Sequence, residues 1–142
     1  MKKIFYSFLL LSSATLFAQK NSAIKFAVAN DIIGTVDMFN MRKSIVQSSK
    51  SYTSANLPQN LKKYSSVLTN GITEYKIKNG NDLDKISLAS LNAQHDIPKD
   101  TPVLIEGYEF PDTSIVVFGD ILVRTEVKDN NGRKTLYIST TR

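Results

Sequence analysis

Residues 120–140, DILVRTEVKDNNGRKTLYIST, decide the fold class, because they carry the strongest structural signal in the chain. Two sets of side chains alternate along each segment with the period of two that is typical of a strand: Leu122, Arg124 and Glu126 against Val123, Thr125 and Val127, and Leu136 and Ile138 against Tyr137 and Ser139. Between these segments lies Asp129-Asn130-Asn131-Gly132, whose Asn-Gly pair favours a tight hairpin turn. The segment therefore predicts a C-terminal β-hairpin.

Further strands are predicted on the N-terminal side of this hairpin. Short apolar runs at 102–106 and 114–118 begin or end beside Pro102 and Gly119, which are residues that punctuate strands. Residues 72–78 alternate between apolar and polar in the same way as the hairpin strands. The second half of the chain is therefore predicted to form a β-sheet.

The residues closer to the N-terminus show a different spacing. Apolar residues three or four positions apart predict one amphipathic helix over 23–46, bent at Gly34. The residues that set this spacing are Ile24, Val28, Ile32, Val36 and Phe39.

Two shorter helices follow in the prediction. Pro58 suits the first position of a helix that runs to Leu68, and Asn70-Gly71 suits its left-handed end. A third helix would begin at residue 81 or 82 and bury Leu83, Ile86 and Leu91. Together the elements predict a single α+β domain over 19–142, with N-terminal amphipathic helices followed by a small, mostly antiparallel β-sheet that ends in the hairpin.

The first eighteen residues have the order of a secretory signal peptide. Lys2 and Lys3 precede an apolar run over 4–11, and small residues lead to a cleavage site after Ala18, with cleavage after Ala14 as the alternative. A membrane anchor is the other interpretation, but the run is shorter than the roughly 20 apolar residues that cross a bilayer. We expect an exported protein, periplasmic or secreted, with no membrane span in the mature chain.

The composition excludes several kinds of chemistry. The 142 residues contain no Cys and a single His, so disulfides, thiol nucleophiles, Cys-ligated zinc and metal sites with two imidazoles are excluded. The six glycines lie singly and form no phosphate-binding loop. We therefore expect neither a metal nor a cofactor.

The net charge of +5 is unevenly distributed. Residues 20–78 contain nine basic and three acidic side chains, and no acid lies between Asp37 and Glu74. The excess of basic residues predicts either a basic face that binds an anionic partner in the cell envelope or an ordinary solvated surface. Nucleic acid is not expected as the partner, because the protein is predicted to be exported. The candidate residues of the basic face are Arg42, Lys43, Lys50, Lys62 and Lys63.

A motif in the middle of the chain points to a glycan ligand. A tyrosine, an apolar residue, a glycine, a leucine and an isoleucine follow one another at fixed spacing: Tyr75, Ile77, Gly80, Leu83 and Ile86. In this stretch the chain resembles the opening of a LysM domain, a small module that binds peptidoglycan and chitin. Only five residues separate Ile86 from Asn92, where the family has room for the rest of one helix and a second helix. The resemblance implies a glycan groove lined by Gly80, Asn81, Asp82 and Leu83.

A minimal hydrolase is a third hypothesis. His95 is either a helix-end residue that interacts with the helix dipole or a general base oriented by Asp96. The acidic segment contains three carboxylates, Glu106, Glu109 and Asp112. It is either a solvated loop between strands or a set of carboxylates that hydrolyses glycosides or binds calcium. The sequence has no Gly-x-Ser-x-Gly nucleophile elbow to provide a serine that His95 could activate. The sequence therefore favours an exported, non-catalytic binding or accessory protein of unidentified ligand, with a peptidoglycan-binding module and a hydrolase as alternatives.

Overall fold

The computed structural model describes residues 20–79 and 82–142, and this part of the chain is mostly β. Ten strands form a six-stranded and a four-stranded sheet within the described residues. The prediction of N-terminal amphipathic helices is therefore wrong. The predicted signal peptide at 1–18 lies outside the described residues.

The strands are short, and the helices are shorter than the sequence predicts. The strands are β1 (Phe26–Ala29), β2 (Ile32–Thr35), β3 (Val46–Tyr52), β4 (Ile72–Ile77), β5 (Lys85–Ser87), β6 (Val103–Ile105), β7 (Tyr108–Phe110), β8 (Val116–Phe118), β9 (Arg124–Asn130) and β10 (Arg133–Ser139). The α-helices are α1 (Val36–Asn40) and α2 (Leu88–Gln94). The 3₁₀ helices span Lys43–Ile45, Ser54–Asn56, Gln59–Tyr64 and Gly119–Ile121. No helix in the described ranges is long and apolar enough to cross a membrane.

Both sheets are mixed. The larger sheet has the order β3-β4-β1-β2-β8-β5, in which β1 runs parallel to β4 and β2 parallel to β8. The smaller sheet has the order β7-β6-β10-β9, in which β6 runs parallel to β10. The predicted C-terminal hairpin is confirmed, because β9 and β10 pair in antiparallel register around a turn at Asn131-Gly132.

The segment predicted as the first helix contains a hairpin instead. β1 pairs with β2 through Ala29 and Ile32, and the connecting residues Asn30 and Asp31 have φ angles of 50° and 68°. Two consecutive left-handed residues form the turn that matches strand twist, and Asn and Asp tolerate that conformation. All four β1 residues are buried, so the strand shows no alternation and its apolar residues imitate helical spacing.

The two other predicted helices also differ from those observed. The segment after Pro58 is a 3₁₀ helix, although Leu61, Tyr64 and Leu68 are buried as the helical spacing indicates. The third helix begins at Leu88 rather than at residue 81 or 82. The Ser87 side chain accepts a hydrogen bond from the backbone N–H of Ser90, 3.1 Å away, and caps that helix. Ile86 lies in β5, ahead of the helix.

The acidic segment after β6 is a second hairpin that the sequence analysis missed. Glu106 and Gly107 form its turn, with φ angles of 51° and 82°, and β7 follows in antiparallel pairing with β6. The side chains of Tyr108 and Phe110 are buried on either side of exposed Glu109.

A shared hydrophobic core joins the two sheets. Phe26 of β1 meets the rings of Tyr108 and Phe110 on β7 edge to face, with centroid distances of 5.2 and 6.1 Å. Buried residues of both sheets belong to the same hydrophobic cluster. Because aromatic pairs stabilise beyond the area they bury, Phe26 is a principal contact between the sheets.

Candidate functional site

The β1–β2 turn presents an acidic side chain to the 3₁₀ helix at Gln59–Tyr64. The Lys63 ammonium donates a hydrogen bond to Oδ2 of Asp31 at 2.6 Å. The Tyr64 hydroxyl lies 3.2 Å from Oδ1 and 3.3 Å from the backbone oxygen of Asp31, and its single proton is shared between these two acceptors. One carboxylate therefore holds two consecutive side chains of the helix.

The form of this helix explains why Lys63 is available at the surface. A 3₁₀ helix has three residues per turn, so Leu61 and Tyr64 lie on one face, and both are buried. Lys63 is on a different face, with 53% of its side chain exposed, and its partner Asp31 is 61% exposed. The buried residues Leu61 and Tyr64 thus fix the helix that holds Lys63, while the ion pair itself is exposed to solvent.

The electrostatics keep this cluster charged near neutral pH. The hydrogen bond from Lys63 lowers the pKa of Asp31 below its ordinary value of 3.8, and the same bond raises the pKa of Lys63. Burial, followed by the nearby negative charge of Asp31, raises the pKa of Tyr64. The cluster therefore combines a carboxylate, an ammonium group and a neutral phenol.

A cleft of about 410 Å³ lies on one side of the ion pair. Asp112 stands at its wall and accepts hydrogen bonds from the backbone N–H of Ser114 at 3.0 Å and from its hydroxyl at 2.5 Å. These bonds lower the pKa of Asp112. We call this space the first cleft; its lining residues are Asn30, Asp31, Ile32, Lys63, Tyr64, Ser66, Val67, Lys85, Pro111, Asp112, Ser114, Ile115 and Val116.

A second cleft of about 540 Å³ shares three residues with the first: Asn30, Asp31 and Lys63. In it the Asn60 side-chain amide donates a hydrogen bond to Oε2 of Glu74 at 2.9 Å. The remaining lining residues of the second cleft are Gln59, Asn60, Glu74, Tyr75 and Lys76. The two spaces, which we call the paired clefts, meet at the Asp31–Lys63 ion pair.

The charges around the paired clefts balance. The acidic lining residues are Asp31, Glu74 and Asp112, and the basic ones are Lys63, Lys76 and Lys85. Carboxylates only accept hydrogen bonds and ammonium groups only donate them, so a ligand group that does both, such as a hydroxyl, is satisfied by either. The arrangement suits a polar ligand without a large net charge.

The structure places the predicted basic residues on a turn, a strand and two 3₁₀ helices. Arg42 pairs with Asp120, and its Nη2 atom lies 3.2 Å from Oδ1 of that residue. Lys50 lies on β3 directly opposite Glu74 of β4. Lys63 belongs to the charge-balanced clefts, whereas Lys43 and Lys62 are exposed. A single basic face remains a prediction.

The residues implied by the LysM resemblance are only partly described. Gly80 and Asn81 lie outside the described residues, Asp82 is exposed, and Leu83 is half-buried against the core. The two ends of the motif border the paired clefts: Tyr75 lines the second cleft, and Lys85, beside Ile86, lines the first. The strand-turn-helix order expected there is not observed, because β5 lies between β4 and α2 in the described part of the chain.

The candidate hydrolase residues lie at a helix end, in a turn and on a strand. His95 is the C-terminal cap of α2. Oε1 of Glu106 accepts hydrogen bonds from the backbone N–H of Thr140 at 2.6 Å, from the hydroxyl of Thr140 at 2.9 Å and from the hydroxyl of Ser139 at 3.3 Å. Glu109 is exposed on β7. Across 20–79 and 82–142, no group of three or more acidic or imidazole side chains could hold a metal ion.

Asp31, Tyr64 and Ser114 were not predicted as site residues, and Asp112 was predicted only as one carboxylate of the acidic segment. One local signal for the site was present in the sequence, since Asn30-Asp31 between two apolar runs is typical of a hairpin turn. Comparison with protein-family models gives no match, and searches of curated proteins and of solved structures give none either. The candidate site therefore rests on its geometry alone.

Proposed function

We propose that this protein is an exported, non-catalytic binding protein whose paired clefts take a hydroxyl-rich glycan of the bacterial cell wall. The observation that carries the proposal is the exposed Asp31–Lys63 ion pair, shared by two clefts whose charges balance. Both volumes fall within the range of about 300–1,000 Å³ that is usual for small-molecule sites.

The charge balance narrows the ligand class. A surface that binds nucleic acid or another polyanion needs an excess of Lys and Arg, because phosphate contacts supply most of the affinity. The paired clefts have no such excess. Peptidoglycan presents sugar hydroxyls together with peptide carboxylates and amines, so it offers partners for both signs of charge. This ligand class also agrees with the resemblance of residues 75–86 to a glycan-binding module.

The pKa directions support binding rather than hydrolysis. General acid catalysis of glycoside cleavage needs a carboxyl group with a raised pKa, so that it remains protonated near neutral pH. The pKa values of Asp31 and Asp112 are both lowered by hydrogen bonds. These two carboxylates are therefore suited to accept hydrogen bonds from a ligand and not to donate a proton to it.

Export is the second part of the proposal and has a separate test. Residues 1–18 have the charge, apolar core and small residues of a signal peptide. When the full gene is expressed with its own N-terminus, mass spectrometry of the envelope and medium fractions should find a chain that begins at Gln19. Retention of the whole chain in the cytoplasm would contradict export.

Sedimentation with insoluble peptidoglycan tests the binding site. Wild-type protein should sediment with the polymer at low salt, and Lys63→Ala should reduce the bound fraction severalfold. Lys62→Ala is the matched control, because Lys62 is exposed on the same helix and lines neither cleft. Protein that stays entirely in the supernatant, or a Lys63→Ala variant that sediments like wild type, would contradict the proposal.

The same assay separates the paired clefts from the LysM-like turn. If the turn at 80–83 binds the glycan, Asp82→Ala should reduce sedimentation while Lys63→Ala leaves it unchanged. If the paired clefts bind the glycan, Lys63→Ala should reduce sedimentation while Asp82→Ala leaves it unchanged. If an exposed basic surface binds the glycan, high salt should release the wild type and both variants from the polymer, since salt screens exposed charges.

A further inference from the structure

We propose that the ligand is a linear glycan chain that lies across the Asp31–Lys63 ion pair and occupies both clefts at once; this inference rests on the proposed function and adds the mode of binding. The protein would accordingly distinguish polymeric cell-wall glycan from its single units.

First, the two clefts adjoin each other at the exposed ion pair. Asn30, Asp31 and Lys63 line both clefts, so the boundary between them consists of these three residues. The shared ion pair is more than half exposed on both of its side chains. A chain that leaves one cleft toward the other therefore passes directly over an ammonium group and a carboxylate.

The second step is the similar chemistry on the two sides. Beyond the shared pair, the first cleft adds Lys85, Asp112 and Ser114, and the second adds Asn60, Glu74 and Lys76. Each side thus contributes one cation, one carboxylate and several neutral hydrogen-bonding side chains, and the first cleft also has five apolar residues: Ile32, Val67, Pro111, Ile115 and Val116. A polymer with a repeating unit finds polar partners of the same kinds in each cleft, whereas a single small ligand uses only one cleft.

The third step is the energetic consequence of joining two subsites. When one unit of a chain is bound, the next unit binds as an intramolecular event at high effective concentration. Such linkage raises the overall affinity by about 100-fold or more without any new kind of contact. The affinity should therefore rise steeply with chain length until both clefts are filled.

Calorimetric titration with soluble peptidoglycan fragments tests this inference. The two probes are single disaccharide–peptide units and chains of several such units, prepared from one batch of polymer. Wild-type protein should bind the chains about 100-fold more tightly than the single units. Equal affinity for both probes would overturn the inference while leaving the proposed function in place.

Variants on each side sharpen the test. Asp112→Asn alters only the first cleft and Asn60→Ala only the second, and Asn56→Ala is an exposed control outside both. Asp112→Asn and Asn60→Ala should each bring the affinity for chains close to the affinity for single units. Asn56→Ala should bind chains as tightly as wild type. If only one cleft variant affects chain binding, the ligand sits in a single cleft and the inference is wrong.

Failure of the inference can be separated from failure of the proposed function. If the protein sediments with insoluble peptidoglycan but binds neither soluble probe, the proposal of one chain across both clefts is wrong, and the proposal of a glycan ligand still holds. Protein that does not sediment overturns both. Urea unfolding of each variant checks that it is folded, so that a loss of affinity is assigned to the cleft.

Discussion

Lys63 places its ammonium nitrogen 2.6 Å from Oδ2 of Asp31, a residue 32 positions earlier in the chain. The contact joins a 3₁₀ helix to the β1–β2 turn and forms the boundary between the paired clefts. Exposed ion pairs contribute only about 0.2–1 kcal/mol to stability. The pair therefore matters more for the shape and charge of the surface than for holding the fold together.

Asp31→Asn should lower stability in a pH-dependent way. Because the hydrogen bond from Lys63 lowers the pKa of Asp31, its contribution is present above the ordinary pKa of 3.8 and is lost as the pH falls through the folded-state value. In urea unfolding, wild type should exceed Asp31→Asn by less than about 1 kcal/mol near neutral pH, and the difference should shrink in acid. Asp100→Asn, an exposed change outside both clefts, is the control. A difference that is constant from neutral pH into acid would be inconsistent with an ionised pair.

Gly71→Ala should destabilise the protein more than Gly132→Ala. Both glycines have positive φ, 91° and 82°, so a side chain costs about 1–2 kcal/mol at either position. A Cβ at residue 71 would also lie 2.6 Å from the backbone oxygen of Tyr52, at the end of β3, whereas a Cβ at residue 132 meets nothing within 4 Å. Thermal unfolding should show the larger loss for Gly71→Ala, and equal losses would argue against the close approach.

Phe26→Ala should cost about 3–5 kcal/mol, the range for truncating a buried aromatic side chain. The change removes the edge-to-face contacts with Tyr108 and Phe110 that join the two sheets. Val123→Ala, at a side chain that is 43% exposed, should change the free energy of unfolding by no more than about 0.5 kcal/mol. Chemical denaturation of the two variants makes the comparison, and a small loss for Phe26→Ala would show that other contacts hold the sheets together.

Glu106→Ala should destabilise the fold by about 1–3 kcal/mol, because it leaves the backbone N–H of Thr140 without its carboxylate acceptor. Glu109→Ala, in the same hairpin but exposed, should have little effect on stability. Unfolding curves of both variants distinguish a structural from a catalytic role for Glu106. A fully stable Glu106→Ala variant would reopen the hydrolase hypothesis.

The strands that could be predicted from sequence are those with a local signal beside them. The Asn-Gly turn marks the β9–β10 hairpin, and Pro102 and Gly119 flank the apolar runs that contain β6 and β8. β1 is buried on both faces at the centre of its sheet, so its four apolar residues carry no period of two. β7 was missed because its two buried aromatic residues flank a glutamate in an acidic segment.

The candidate site was less predictable than the fold, because it depends on a long-range contact. Lys63 was identified as a basic residue, but its interaction with Asp31 follows only when residues 26–35 form a hairpin rather than part of a helix. The same error hid Asp31, since a helical assignment leaves it on a solvated face. The local sequence pattern identified Lys63 as a basic residue, but only the pairing of β1 with β2 places Asp31 beside it.

The most direct test of the glycan site in the paired clefts is nuclear magnetic resonance of the isotope-labelled protein during titration with soluble peptidoglycan chains. We predict that the largest changes in backbone amide shift fall at Asn30, Asp31 and Lys63, with smaller changes at Asn60 and Ser114 on either side. Changes confined to residues 80–83, or no changes at saturating ligand, would contradict this site.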